Sequence, residues 1–370
     1  MSTSGIYYLV SWGDDKERAW SGTDWSLFCA LSKRMDVKDV DITVRHSFCD
    51  RILNKLKIRR YTNDLDMANI RIQSRKAKEV IRQEGRRKAV FQFAEVVPET
   101  EEMPSYLYID VNAAYIGYMK ENAPNDFDST GYGKCGMKNI NKRGNQQNRY
   151  IESCSGVFTM GAWIAKDLVE RCGMPKDKIH HVGGGINLDS SKIDDGHKKR
   201  NKFLFVGRDF NRKNGPLVYS AFKLLQAKHP DWELHVAGPA SNPYPDDSSG
   251  KFCYHGDCGK EKLSELFNNC DLFVMPSRFE AYGLAFIEAL TYGLPCIGRN
   301  AYEMPYFIED GVTGRILEEQ TPESLAALME EVMEKEKYFQ EVKKRRNFYL
   351  SEYSWDKVAD RIVNIINSKG

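Results

Sequence analysis

Short runs rich in Val, Ile, Phe and Tyr recur along the chain and alternate with segments whose apolar positions follow helical spacing. Strands are predicted over 6–12, 40–44, 89–94, 106–111, 156–160 and 179–182 in the first half. A second series follows over 203–206, 233–236, 252–254, 272–275 and 296–297. Residues 162–172 carry Ala162, Ala165, Leu168, Val169 and Cys172 on one helical stripe, with Gly173 as a stop. Helices are likewise predicted over 215–228, 261–269, 284–291, 323–336 and 358–366. Strands alternating with helices argue for α/β layers around parallel sheets. The polar stretch 189–201 separates the two series. The segment 123–149 is polar and rich in Gly and Asn, and is expected to be a long loop.

At 370 residues the chain exceeds what one core usually holds, so two domains are expected. Apolar residues are 41% and charged residues 29%, an ordinary globular balance that excludes a disordered or collagen-like chain. The longest apolar stretch, 281–298, is interrupted by Glu288 and Pro295 and does not read as a membrane helix. Residues 6–10 are too short for a signal peptide, so a cytoplasmic protein is expected. The nine cysteines are an odd number and form no C-x-x-C pair, which fits reduced thiols.

A net charge of +2 excludes a polycation built for nucleic acid, and no nucleic-acid partner is expected. The balance is uneven. Residues 1–185 carry 29 basic and 24 acidic groups, residues 186–370 carry 25 and 28. From Arg51 through Lys88 there are 13 basic groups against four acidic ones, so peripheral contact with an anionic membrane at its inner face is expected there.

The segment 271–290 reads D-L-F-V-M-P-S-R-F-E-A-Y-G-L-A-F-I-E-A-L. A buried strand ends near Met275, a loop follows, and a helix opens after Gly283. Unpaired N–H groups and the dipole at that helix start favour an anion. Carboxylates beside a phosphate would repel it, so Glu280 and Glu288 are expected to take hydroxyls, as on a sugar and a ribose. The segment 203–215, F-L-F-V-G-R-D-F-N-R-K-N-G, places Arg208 and Lys213 after another strand. A guanidinium fork and a mobile ammonium suit a diphosphate that gains charge as it leaves.

With these motifs, residues 203–315 resemble the carboxyl-terminal domain of the retaining GT-B glycosyltransferases of family four, also called glycosyl transferases group one. H-V-A-G-P-A at 235–240, Y-H-G-D at 254–257, G-L-P-C-I-G at 293–298 and E-D-G-V-T-G-R at 309–315 carry the likeness further. Y-S-W-D-K-V-A at 353–359 resembles the family's last helix, V-G-G-G-I-N at 182–187 its hinge, and W-S-G-T at 20–23 its glycine loop.

The resemblance implies an α/β fold of two doubly wound Rossmann-like domains facing across a cleft. These would be an acceptor-side domain over 1–185, a nucleotide-sugar donor domain over 186–352, and a helix over 353–370 crossing back to the first. It implies a metal-independent, retaining hexosyltransferase-type enzyme, with no cofactor, moving a sugar from a nucleoside-diphosphate sugar to a hydroxyl of a glycan or glycolipid, as in polysaccharide biosynthesis. Arg208, Lys213 and Glu280 would be its catalytic residues. Glu288 would hold the ribose, and the backbone of Tyr282, Gly283 and Leu284 would meet the sugar and β-phosphate. A loop at Tyr254 and His255 would lie beside the base, and Gly22 would let backbone approach the phosphates. Asp110 is a candidate sugar or acceptor contact, standing where the family often has His. A sugar-nucleotide epimerase of the same layout and a non-catalytic nucleotide-sugar-binding subunit are the alternative readings. The D-L-D at 64–66 lies in a helical, basic context rather than after an apolar strand, and His255, Asp257 and Cys258 suit no common ligand set, so no metal is expected.

Overall fold

The computed structural model describes residues 5–45, 67–98, 100, 103–194, 196 and 201–368. The D-L-D motif and the basic residues before Met67 lie outside these. The chain divides into two compact units: Met1–Phe127, Tyr132–Gly184 and Trp355–Gly370 in the first, Asp128–Gly131 and Gly185–Ser354 in the second.

The first unit is built on six parallel strands, β1 (Ile6–Val10), β2 (Val37–Asp41), β3 (Ala89–Gln92), β4 (Ser105–Ile109), β5 (Gly156–Thr159) and β6 (Ile179–His181), in the order β2-β1-β3-β4-β5-β6. Strands β1, β3, β4 and β5 are buried throughout, as near-continuous apolar runs in a sheet covered on both faces require. The first five helices are α1 (Thr23–Ser32), α2 (Met67–Glu84), α3 (Ala113–Asn122), α4 (Pro124–Asp128) and α5 (Met137–Ser153), followed by α6 (Ala162–Glu170).

Much of the expected loop 123–149 is helix. α5 buries Ile140, Arg143, Gly144, Gln147 and Ile151. That i, i+3, i+4 stripe has only two aliphatic members. Its polar positions are bonded internally: Arg143 and Gln147 each donate to Glu95 at 2.5 Å. Composition therefore hid a helix whose inward face is largely hydrogen-bonded rather than apolar.

The second unit repeats the plan with β7 (Lys202–Val206), β8 (Glu233–Ala237), β9 (Phe252–Gly256), β10 (Leu272–Val274), β11 (Cys296–Arg299) and β12 (Gly314–Leu317), in the order β12-β11-β10-β7-β8-β9. All pairings are parallel. β12, two of whose four residues are only half buried, is an edge strand that the sequence pattern did not reveal. The helices are α7 (Gly215–Gln226), α8 (Lys260–Asn269), α9 (Leu284–Tyr292), α10 (Met304–Phe307), α11 (Pro322–Glu334), α12 (Lys337–Lys344) and α13 (Arg346–Glu352).

The last helix, α14 (Trp355–Ser368), belongs to the first unit and packs on α1. Trp355, Val358, Ala359, Ile362 and Ile366 form its buried stripe. Arg34 fastens it at its edge, donating to Asp356 at 2.8 Å and Asp360 at 2.6 Å.

Strand order reverses between β1 and β3 in the first unit and between β7 and β10 in the second. Open parallel sheets bind ligands just beyond the strands at such switch points.

Candidate active site

In the second unit the loops after β7 and β10 meet at the switch point. Arg278 N–H donates to the Arg212 carbonyl at 2.9 Å, and Ser277 Oγ donates to the Phe279 carbonyl at 2.9 Å. Within the first loop, Asp209 accepts the Arg212 N–H at 3.1 Å on its side chain, and its carbonyl accepts the Lys213 N–H at 3.1 Å. This turn aims Lys213 back over the end of β7. A Cβ on Gly207 would lie 2.1 Å from Lys213 Cδ, so only glycine leaves the lysine stem this path.

The Lys213 ammonium reaches Glu280, with Nζ 3.1 Å from Oε2. Arg212 lies behind it, 3.7 Å from the same oxygen, and donates to the Phe279 carbonyl. Both lysine and glutamate are largely enclosed, with side-chain exposures of 14% and 12%. Arg208 is placed differently. Its side chain is 73% exposed and its Nε lies 3.5 Å from Asp257. The structure thus brings Lys213 and Glu280 together and leaves Arg208 at the rim.

Three residues past Glu280, Gly283 adopts φ +101° at the start of α9, a left-handed conformation that side chains resist. Its carbonyl accepts the Phe286 N–H, and α9 opens with no side-chain cap. Tyr282 is buried edge-on to Phe307 at 5.1 Å. Glu288 sits one turn into α9, where every residue from Ala285 to Tyr292 is buried. Its Oε1 accepts the N–H of Asn187 at 3.2 Å. Burial pushes its carboxyl up to about 7, against the pull of that N–H and of Lys260 and Lys213. Glu288 is therefore neither solvated nor remote from Lys213.

Tyr254 and His255 lie on β9 rather than on a loop, since the strand runs on to Gly256 through an irregularity opposite Val236 and Ala237. The Tyr254 hydroxyl donates to the Pro239 carbonyl at 2.8 Å. His255 faces His235 with ring nitrogens 2.9 Å apart. Burial, then the neighbouring His235, pulls His255 down to about 4.

In the first unit Trp20, Ser21 and Gly22 stand at φ 42°, 61° and 90°, three successive left-handed residues before α1. Such strain persists only where the surroundings impose it, and it gathers at functional sites. Asp110 follows β4 directly. It faces Asp24 in the first turn of α1, whose buried carboxyl is pushed up to about 7 by desolvation and then by the Asp110 charge. Sequence reasoning missed Asp24, Arg212 and Asn187. Arg212 was legible only as a neighbour of Lys213, and Asn187 only as the end of V-G-G-G-I-N.

The family model for glycosyl transferases group 1 matches residues 189–350, the span that holds Lys213, Glu280 and Glu288. Residues 189–350 belong to the glycosyl transferases group 1, and the chain has the GT-B fold.

An uncharacterized 41.2 kDa protein from the cps region of Klebsiella pneumoniae is 26% identical over 43% of this chain and 46% of its own length. An uncharacterized glycosyltransferase of Methanocaldococcus jannaschii is 24% identical over 64% of this chain and 67% of its own. The match thus spans from about half to two thirds of these curated relatives.

Among solved structures, sucrose-phosphate synthase of Thermosynechococcus elongatus superposes with a TM-score of 0.70 at 13% identity, covering 98% of both chains. Anabaena HepE, solved with UDP and glucose, gives 0.61 at 13% identity over 98% of this chain and 99% of its own. At such identities the likeness carries the fold. With two six-stranded parallel sheets it establishes the GT-B architecture of the chain.

Proposed function

We propose that the chain transfers a sugar from a nucleoside-diphosphate sugar to a hydroxyl of a glycan or glycolipid, with retention at the anomeric carbon and without a metal. The observation that carries this reading is the Lys213–Glu280 pair at 3.1 Å beside the uncapped start of α9. A cation, an acid and a helix start without a side-chain cap stand together at the switch point of a parallel sheet. The HepE structure holding UDP and glucose supports a donor of this class.

In this reading the donor diphosphate takes Lys213, the start of α9 and the exposed Arg208. Glu280 meets the transferred sugar, Glu288 the ribose, and the β9 edge at Tyr254 and His255 the base. As the glycosidic bond lengthens, the sugar gains oxocarbenium character and the diphosphate gains charge. Lys213 and the helix start stabilise that charge where it develops. Glu280, already paired with Lys213, is a poor candidate for a covalent nucleophile. The leaving phosphate takes the acceptor proton on the same face, giving retention.

A donor-consumption assay over a panel of nucleotide sugars, with and without glycan acceptors, tests the reading. Acceptor-dependent release of nucleoside diphosphate, unchanged by EDTA, is the expected result. Conversion of the donor to an isomer with no acceptor present would mark an epimerase, and binding without turnover a non-catalytic subunit.

No helix among the described residues is long and apolar enough to cross a membrane. The described part of the basic segment begins at Met67, and on its helix α2 Arg71, Arg75, Lys76, Lys78 and Arg82 are exposed. We propose that it contacts anionic lipid peripherally.

A further inference from the structure

Arg212 ties together the two loops of the candidate site, through its main chain and through its side chain. Its carbonyl accepts the Arg278 N–H at 2.9 Å and the Ser277 hydroxyl at 3.3 Å, and its N–H donates to the Asp209 carboxylate at 3.1 Å. Its guanidinium turns back along the same loop, where Nη1 donates to the Phe279 carbonyl. The chain just before Glu280 is thus bonded to Arg212 at three successive residues, Ser277, Arg278 and Phe279. The Arg212 side chain is only 23% exposed, so its bond forms largely out of water, where it is stronger than at the surface.

Glu280 needs such a neighbour. Its Oε2 is buried and accepts no hydrogen bond from the described residues. Charge holds it instead, with Lys213 Nζ at 3.1 Å and Arg212 Nη1 at 3.7 Å. A carboxylate taken out of water is costly unless a cation accompanies it. The two cations differ in freedom. Lys213 carries a point charge on a flexible stem, and its ammonium also touches the Met275 sulfur at 3.3 Å. The Arg212 fork is pinned by the Phe279 carbonyl, and its Nε faces Asp209 at 3.7 Å. A diphosphate that draws Lys213 away therefore leaves Arg212 as the cation beside Glu280.

We infer that Arg212 is the positioning residue of this site, keeping Glu280 paired and in place while Lys213 serves the donor diphosphate. The inference rests on the glycosyltransferase reading and goes beyond it by giving Arg212 a task separate from the phosphate contacts of Lys213 and Arg208. A planar guanidinium suits that task, because its donors are fixed in one fork and serve a carbonyl and a carboxylate at once. Arg212 acts on turnover through Glu280 and does not touch the donor's phosphates.

A double-substitution cycle on the full chain tests this, with kcat and donor KM read by consumption of UDP-glucose, UDP-N-acetylglucosamine or GDP-mannose, whichever the unmodified protein uses. Arg212→Gln is expected to lower kcat about tenfold or more, with donor KM within about threefold of the unmodified value. In a Glu280→Gln background the same change is expected to cost less than about twofold, since the group it acts through is gone. A role confined to holding the loops in shape would cost the same in both backgrounds. Arg212→Lys keeps the charge and gives up the fork. It is expected to lose less than Arg212→Gln, and it carries the cycle if that variant does not fold. Thermal stabilisation by the matching nucleoside diphosphate, UDP or GDP, should be alike in all these variants. Equal costs in both backgrounds, equal losses from Arg212→Lys and Arg212→Gln, or about tenfold weaker nucleoside-diphosphate binding by Arg212→Gln would each overturn the inference, the last by making Arg212 a phosphate ligand. Failure of the glycosyltransferase reading looks different: the unmodified protein consumes none of the nucleotide sugars, and neither UDP nor GDP stabilises it.

Discussion

The ammonium of Lys213 and the carboxylate of Glu280 stand 3.1 Å apart although 67 residues separate them in sequence. In the absence of donor each neutralises the other. In the proposed reading, a diphosphate competing for Lys213 would free Glu280 to turn to a hydroxyl. Lys213→Ala removes the cation from the leaving-group site and leaves Glu280 enclosed beside Arg212 alone. Turnover is expected to fall on the order of 10²–10³-fold, with the melting temperature nearly unchanged. Arg208→Ala, at the exposed rim, is expected to raise KM for the donor more than it lowers kcat. Near wild-type steady-state rates in both variants would remove the phosphate role.

Gly207 offers a second test of the same geometry. An added methyl group would overlap the Lys213 stem, and a flexible side chain can move aside at little cost in stability. Gly207→Ala is therefore expected to keep the fold by circular dichroism yet lose tenfold or more of donor turnover, because Lys213 is pushed off its line to Glu280.

Glu288 makes stability depend on pH. Its carboxyl is raised to about 7 by burial, so between its unfolded value and about 7 the folded chain holds the extra proton. Stability contributed at this site is complete at low pH and is lost as pH rises through that window. A shift of this size is worth on the order of 3 kcal/mol. Glu288→Gln removes the dependence. Relative to the unmodified chain, its melting temperature should be higher at pH 8 than at pH 5, while donor affinity falls. An equal offset at both pH values would show that Glu288 ionises normally.

The α14 helix is held chiefly by packing. The Asp356 and Asp360 side chains are more than half exposed, and ion pairs of that kind contribute only about 0–1 kcal/mol. Ile362 is fully buried, and its truncation costs about 2–5 kcal/mol. In urea, Ile362→Ala should lower the unfolding midpoint far more than Asp360→Asn.

Contact with membrane is read by cosedimentation. Vesicles containing anionic lipid are expected to retain the protein at low salt and release it at high salt, since surface attraction is screened over about a Debye length. Neutral vesicles should retain none. Replacing Arg71, Arg75 and Lys78 together by Gln should weaken retention. Salt-independent recovery in the supernatant would count against it.

The element pattern was legible because buried parallel strands are continuous apolar runs and their helices are amphipathic. Strands such as β1, β5 and β7 were therefore visible to within a residue or two. The edge strand β12 was not, being short and half exposed. Nor was α5, whose inward face carries Arg143 and Gln147. Its burial becomes tolerable only once Glu95, some fifty residues earlier, meets them. Lys213, Glu280 and Glu288 could be found by spacing because each follows a strand end in a dense local motif. Asp24 and Asn69 could not, because a lone Asp and a lone Asn signal nothing until folding buries them.

By itself the sequence determined the alternation of strand and helix, two αβ series, and the group 1 motifs that hold the cations and acids. These are local properties: periodicity, turn residues and short spacings. Only the tertiary structure decided which cation meets which acid, that Lys213 rather than Arg208 lies against Glu280, and that Glu288 is closed off beneath Asn187. Burial, desolvation and hydrogen-bond satisfaction depend on residues far apart in the chain, and no local pattern records them.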